Sequence, residues 1–366
     1  MSKPTFHIAK TQAEKEAIYR LRYQIYIEEM HLFEDVADNE NKLFSEQLDD
    51  GARLLYAKID DQVMGVMRVH LGKDAPLPKE FDETYDLSRF KGVVDESALA
   101  VITRFMVHKT QRGGLLTFLF MREVAKLGVE EKINITLCDC QPHLLNLYHK
   151  VGFRCYQQPV YNDPHFGIIV PLLMILNDSS YFHAIGSPLT NIFDHSDLAV
   201  LSSERIAALV GTPSVTPIID PKENSFELLT NHETTRFLDG LAPEEVESIT
   251  SQGNIINCLA NDRVIMRNQI AKTIFLVLDG SLIVEDAHGF RSTKSEGEIV
   301  GEVAFLLDSK RIADVFAGPE GVSVLSLNES TVKSFIETPS TASAKLLLNL
   351  SKMLAAKLSE KTLTPA

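Results

Sequence analysis

The 366-residue chain has no tryptophan and only four cysteines, and its 36 lysines and arginines are outnumbered by 50 aspartates and glutamates. The net charge of -14 disfavours a nucleic-acid partner, because phosphate backbones are held mainly by cationic contacts. No run approaches the roughly 20 apolar residues of a membrane span. The opening MSKPTFHIAKTQAEKEAIY lacks the apolar core of a secretory signal. These shortages point to a cytoplasmic protein with no membrane span. Among the cysteines, Cys138 and Cys140 are separated by one residue. That is too close for the usual zinc pair, and no second pair of ligands follows at a matching distance. Buried thiols are expected, with no metal and no disulfide.

The length suggests two domains, and a 45% hydrophobic content is enough for two cores. Between residues 5 and 178, strands and helices interleave, which predicts an α+β domain. Glu14–Met30 has apolar residues at helical spacing (Ile18, Leu21, Ile25, Met30). Leu54–Ile59 and Val63–Leu71 read as a hairpin across Asp60-Asp61-Gln62. Val101–Val107 reads as a buried strand, Leu115–Gly128 as a helix, Ile133–Cys138 as a strand and Pro142–Val151 as a helix. Phe153–Gln157 and Gly167–Leu176 read as the last strands. From 179 to 230, prolines and polar residues loosen the pattern into a structured linker, with a short helix at Ser203–Val210. From 231 to 366, a helix at Pro243–Gln252 precedes short strand-like runs at 254–258, 263–266, 273–278, 281–285, 312–317 and 322–327. Their close turns predict a small β-barrel or sandwich. Thr331–Phe335 and Ala342–Ser359 are helical. The apolar stripe Leu346, Leu347, Leu350, Met353, Leu354, Leu358 covers a core or a partner helix, of which covering the barrel is the favoured reading; a homodimer is left open.

Two stretches carry chemistry in the first region. Arg104-Phe105-Met106-Val107 runs from a strand into the loop Gln111-Arg112-Gly113-Gly114, which opens a helix at Leu115. Loop N–H groups and a helix N-terminus together suit an anion. Further on, Tyr148-His149-Lys150-Val151-Gly152-Phe153 ends a helix at a glycine and starts a strand. This pair resembles the GNAT acyltransferase superfamily. The resemblance implies that Gln111, Arg112, Gly113, Gly114 and Leu115 bind the acyl donor, although Leu116 stands where the family has a small residue. It also implies that Tyr148 protonates the departing thiolate, which a phenol can do because its pKa of about 10 lies near that of a thiol. Backbone N–H groups near Met106 and Val107 would polarise the thioester carbonyl. The base stays open among Glu28, Glu29 and water.

The helix Arg20-Leu21-Arg22-Tyr23-Gln24-Ile25-Tyr26-Ile27-Glu28-Glu29 is similar to the start of one GNAT branch, that of the acyl-homoserine lactone synthases and N-acyl amino acid synthases. Asp49-Asp50, Gly65-Val66-Met67-Arg68, Arg104-Phe105 and Ser187-Pro188 match the same branch. The resemblance implies an acyl donor on acyl carrier protein or coenzyme A and an amine acceptor, an amino acid or another small amine. Arg22, Tyr26, Asp49, Arg68 and Arg104 become candidate substrate-binding residues. A structural ion-pair network among Arg22, Arg68 and Asp49 or Asp50 is the alternative. The lactone synthases carry a glutamate where this chain has Val101, so their S-adenosylmethionine chemistry does not carry over.

In the second region, Gly297-Glu298-Ile299-Val300-Gly301-Glu302 and the following Val303, Ala304, Arg311, Ile312, Ala313 resemble the phosphate-binding cassette of cyclic nucleotide-binding domains. That resemblance implies Glu302 on the ribose and Arg311 on the cyclic phosphate, with cyclic AMP as an effector. Asp314 stands where binders carry Thr or Ser, and it would pair with Arg311 in a ligand-free domain. Asn261 and Asn268 replace turn glycines, and both are expected at positive φ. The readings left open are an N-acyltransferase with a regulatory or structural second domain, a protein lysine acetyltransferase under cyclic AMP control, and a non-catalytic acyl-ligand-binding signalling protein.

Overall fold

The computed structural model describes residues 3–156, 158–217, 236–251, 253–270 and 273–363. Its fold is α+β, with two sheets. The chain divides into two compact units. The first comprises Met1–Cys140, Leu147–Gln158 and Pro171–Thr212, and the second comprises Gln141–Asn146, Pro159–Val170 and Pro213–Ala366.

The first sheet contains β1 (Thr5–Ile8), β2 (Arg53–Ile59), β3 (Gln62–Leu71), β4 (Leu99–Val107), β5 (Ile135–Cys140), β6 (Arg154–Cys155), β7 (Tyr161–Asp163) and β8 (Gly167–Ile175). Its order is β1-β2-β3-β4-β5-β8-β6, with β7 paired to β8. The helices are α1 (Gln12–Tyr23), α2 (Phe81–Tyr85), α3 (Leu115–Glu130), α4 (Leu145–Val151), α5 (Ser179–Ala184), α6 (Thr190–Phe193) and α7 (Ser203–Val210). Thr11 starts α1 with a capping box closed by Glu14. The helix predicted over Glu14–Met30 changes type midway: Gln24–Glu29 is a π-helix, with Met30 N–H bonded to Ile25 O. The even apolar spacing across the change hides it from periodicity. Such bulges occur often at functional sites.

One core cluster of the first unit packs Leu77, Phe81, Tyr85 and Phe90 against Val101, Ile135 and Leu173. Leu201 and Leu209, from the stretch expected as a linker, join this cluster. Residues 218–230 of that stretch, the first five residues of the second predicted domain, and the predicted element ends at Gln157 and Gln252 lie outside the described residues.

The second sheet has β9 (Val215–Pro217), β10 (Asn254–Cys258), β11 (Arg263–Ile265), β12 (Thr273–Glu285), β13 (Arg291–Lys294), β14 (Ile299–Val300) and β15 (Asp314–Asn328). The runs 273–278 and 281–285, expected as separate strands, are one strand, β12. The runs 312–317 and 322–327 likewise fall largely in β15. Each strand bends at a glycine, Gly280 (φ 79) and Gly321 (φ 82), and register shifts flank Asp279 and Gly280. A sequence reading takes such glycines as chain reversals, whereas here both strands run on past a bulge: Gly280 pairs with Val322 and Leu282 with Ala317, so residues 318–321 of β15 stand against Ser281 alone. Asn261 (φ 67) and Asn268 (φ 69) adopt the left-handed turns expected of them.

The helices of this unit are α8 (Pro243–Thr250), α9 (Glu302–Leu306), α10 (Glu329–Glu337) and α11 (Thr341–Leu363). Leu346, Leu350 and Met353 of α11 enter the core with Ile274, Leu276 and Leu325, while Leu347 and Leu358 of the predicted stripe are exposed.

Candidate active site

β4 and β5 are parallel neighbours over only three residue pairs, Leu99↔Ile135 to Val101↔Leu137. Beyond Val101, β4 keeps only its β3 partner, and there it bulges. Val66 pairs with Met106 and Arg68 with Thr103, so one extra residue sits on β4. Arg104 takes that place at φ 53, a left-handed conformation costing on the order of 1–3 kcal/mol for a non-glycine residue. His108 N–H bonds Met64 O on β3 at 2.8 Å. Backbone groups alternate along a strand, so the Val107 N–H faces the β5 side, where its ladder has ended. Arg112 Nε reaches Val107 O from outside β3 at 3.3 Å, consistent with that orientation. Met106 and Val107 are both buried.

Tyr148 lies on α4 and is 6% exposed. Gly152 ends α4 at φ 118, with its N–H shared between Tyr148 O and His149 O. A Cβ at Gly152 would meet the Phe182 ring at 2.1 Å. The tyrosine–glycine spacing therefore serves the helix end that carries Tyr148. Burial first, then Cys138, Cys140, Asp139 and Tyr26, push the phenol well above its ordinary pKa. It holds its proton across the neutral range. No hydrogen bond from a described residue occupies its hydroxyl. All four cysteines are free and buried. Among the described residues, no cluster of His, Cys, Asp and Glu is arranged to hold a metal.

The candidate substrate-binding residues converge in one network. Arg22 Nη1 donates to both Asp49 oxygens at 2.8 Å. Arg68 Nη1 reaches Asp49 at 3.4 Å and Glu46 at 3.1 Å, and its Nε donates to Thr103 Oγ1 at 2.9 Å. Arg104 Nε donates to Glu46 at 2.6 Å, and its guanidinium lies 5.5 Å from the centroids of Tyr26 and Phe33. Glu46 was not singled out from sequence, since nothing in Ser45-Glu46-Gln47-Leu48-Asp49-Asp50 distinguishes it beforehand. Burial alone would raise its pKa, but Arg104, Arg68 and Arg22 outweigh burial and hold it low. Desolvation lowers the pKa of Arg68. Three guanidiniums thus face two carboxylates, and Arg22 Nε and Nη2 are buried without a hydrogen-bond partner. The network opens toward solvent at Arg104 and Glu46, whose side chains are 19% and 20% exposed.

The expected donor loop is ordered by the chain itself. Lys109–Gln111 forms a 3₁₀ turn, Gly113 sits at φ 70, and Gly114 caps α3 without a side-chain bond. The first N–H groups of this 16-residue helix have no partner within the helix, and Leu115 at its start is exposed. Arg112 pairs with Glu29 of the π-helical turn at 2.5 Å. Glu28 is taken by Lys42 at 2.9 Å.

In the second unit the cassette residues have partners from their own chain. Arg311, 4% exposed, donates through Nη1 to Gly301 O at 2.8 Å and through Nη2 to Thr273 O. Burial brings its pKa down to about 10. The expected Asp314–Arg311 pair does not form. Asp314 lies against Arg267, accepting from its backbone N–H at 3.2 Å, because Arg311 turns inward to the carbonyls. Glu302 accepts from Lys357 Nζ of α11 at 2.7 Å. Gly301 is required where it stands: its φ is 93, and a Cβ would meet Arg311 Nη1 at 2.4 Å. Val303 and Ala304 lie in α9, while Ile312 and Ala313 follow Arg311, with Ile312 58% exposed.

Residues 17–175 match the family model described as N-acyl amino acid synthase FeeM. That match makes the chain an acyltransferase. A solved coenzyme A-dependent acyl-homoserine lactone synthase, BjaI, is 18% identical over 51% of this chain and 91% of its own, with a TM-score of 0.40. A second such synthase, MesI, is 15% identical over 50% of this chain and 95% of its own, at 0.39. For the remainder of the chain, the catabolite activator protein of Thermus thermophilus is 22% identical over 35% of this chain and 61% of its own, at 0.31. No curated protein sequence matches the chain. No helix among the described residues is long and apolar enough to cross a membrane.

Proposed function

Taking the acyltransferase match of the first half as the premise, we propose that the protein moves an acyl group from a thioester of coenzyme A or acyl carrier protein to the amino group of an amino acid, by direct transfer on a GNAT-type sheet. The observation that carries the acceptor is the Arg22–Arg68–Arg104 network. Three guanidiniums set against Glu46 and Asp49 leave one positive charge in surplus, and the network reaches solvent beside the Arg104–Glu46 pair. A buried surplus charge is costly until an anion meets it, and a carboxylate fits a guanidinium fork. An amino acid supplies that carboxylate together with a nucleophilic nitrogen.

The thioester arm lies in the gap where β4 leaves β5. Val107 N–H donates to the thioester oxygen as negative charge builds there. The acceptor nitrogen attacks the carbonyl carbon, the carbon–sulfur bond breaks, and Tyr148 gives its proton to the sulfur. The nitrogen loses its proton to water. A coenzyme A donor sets its pyrophosphate on the Gly113-Gly114 loop and the first turn of α3. The second unit acts on this reaction through the chain rather than as a cyclic AMP sensor.

The test is release of free thiol from acetyl-, octanoyl- and palmitoyl-coenzyme A in the presence of pooled amino acids. Tyr148→Phe should lower kcat by about 10²-fold or more while leaving thioester binding intact. Arg104→Met should raise the KM for the amino acid far more than that for the thioester. Turnover unchanged by Tyr148→Phe removes the assigned acid.

A further inference from the structure

The second unit is discontinuous. Besides Pro213–Ala366 it includes Gln141–Asn146, which leads into α4, and Pro159–Val170, which holds β7 and the start of β8. These two segments lie on the cassette. Pro142, His143, Phe166 and Ile168 line a cavity together with Phe275 and Arg311. The cavity measures about 30 Å³, room for a water or two and too small for a nucleoside.

Side chains of the barrel grip both segments by their backbone and polar groups. Asn328 Nδ2 donates to His143 O at 3.1 Å. Gln269 Nε2 donates to His165 O at 2.5 Å. Asn162 is held twice: its Nδ2 donates to Asp262 at 2.7 Å, and its Oδ1 accepts from Arg263 N–H at 2.5 Å. The two residues a cyclic nucleotide would engage are committed elsewhere, Arg311 to two carbonyls and Glu302 to Lys357.

We propose that the cassette is a socket for the chain's own Gln141–His143 and Phe166–Ile168 segments, and that by holding them it fixes the start of α4 and so positions Tyr148. Asn328 and Gln269 are then positioning residues for the acyl transfer. This rests on the reading of Tyr148 as the proton donor. The physical link is short. His143 belongs to the 3₁₀ turn Pro142–Leu144 that runs directly into α4 at Leu145. A helix of seven residues has little stability of its own and takes its position from what holds its ends. Gly152 fixes the C-terminal end, and the socket fixes the N-terminal end. Phe166 and Ile168 complete the wall that a ligand would otherwise form.

The experiment uses the full chain with Asn328→Ala and Gln269→Ala, singly and together. It has three readouts. Hydrogen exchange across Leu145–Gly152 should accelerate by about tenfold or more in the double variant. Kinetically, kcat for thiol release from octanoyl-coenzyme A with pooled amino acids should fall by about 10- to 100-fold with the thioester KM unchanged, since small misplacements cost that much. In a Tyr148→Phe background, the same substitutions should cost almost nothing further, because they act through that hydroxyl. Calorimetric titration with cyclic AMP and cyclic GMP should give no heat in the parent chain. Unchanged exchange in α4 overturns the proposal whether or not a substrate has been found. An equal kcat loss in the Tyr148→Phe background shows that the socket does not act through Tyr148. Tyr148→Phe alone with full activity sinks the acid assignment separately. Micromolar cyclic nucleotide binding that is lost in Arg311→Ala shows a ligand site rather than a socket.

Discussion

Replacing Glu46 by glutamine should destabilise the first unit sharply, although Glu46 is neither fully buried nor in a regular element. Its carboxylate takes 2.6 Å and 3.1 Å hydrogen bonds from Arg104 and Arg68. Glutamine keeps the shape and one acceptor oxygen but removes the charge. Among the described residues, Asp49 is then the one carboxylate left in the network, and of the three guanidiniums it bonds only Arg22 and Arg68, both buried. Removing one partner of a buried ion pair costs about 3–5 kcal/mol. The partial exposure of Glu46 places the expectation at the lower end, about 3 kcal/mol. At roughly 2–4 °C per kcal/mol for a unit of this size, the first unfolding transition should fall by about 6–12 °C at pH 7. The pH dependence gives a second check. Glu46 has a lowered folded-state pKa, so its contribution is complete above the unfolded carboxylate value near 4.3 and is lost as pH falls through the lower folded value. The gap between parent and variant should therefore close in acid. Scanning calorimetry from pH 7 to pH 3 measures both effects. A variant that melts within a degree of the parent at pH 7 refutes the view that Glu46 holds the arginines together.

His70 is buried with neither ring nitrogen hydrogen-bonded by a side chain, and burial, then Arg68, lowers its pKa to about 4. The unfolded chain binds that proton near pH 6.5, so stability should fall as pH drops from about 6.5 to 4, and His70→Phe should flatten that slope in urea titrations. Gly301→Ala adds a Cβ onto Arg311 at a positive φ and should cost at least about 1–3 kcal/mol, read as a lower midpoint for the second unit. Arg311→Met removes a buried donor from the Gly301 and Thr273 carbonyls, of which Gly301 O keeps the Phe305 N–H at 3.3 Å, so it should destabilise the second unit by about 1–3 kcal/mol even with no nucleotide present.

Much of the first unit could be read from sequence because its signals are local. Val101–Val107 is mostly apolar and β-branched on a buried central strand, and the glycine pair before Leu115 ends a polar loop where the apolar helix begins. The bulge at Arg104 and the π-helical turn at Gln24–Glu29 leave no such trace, since both insert backbone geometry without altering apolar spacing. Glu46 was missed for a different reason. It acts through contacts with Arg68 and Arg104, which lie far from it in sequence. The cassette motif was legible, and Asn261 and Asn268 took the positive φ expected of them. The partner of Arg311 was not legible. A neighbouring aspartate suggested an ion pair, but direction along β15 turns Asp314 toward Arg267 while the preceding loop sends Arg311 to backbone carbonyls. Nothing local in Gln141–His143 or Phe166–Ile168 marks them as the wall of a barrel that begins more than forty residues later in the sequence.

The most direct measurement of the central claim is mass spectrometry of the products formed from octanoyl-coenzyme A and pooled amino acids, by the parent chain and by Tyr148→Phe. The account predicts an N-octanoyl amino acid formed in step with thiol release, reduced by about 10²-fold or more in the variant. Amide formed equally well by both proteins, or formed as readily on simple alkylamines that lack a carboxylate, contradicts it.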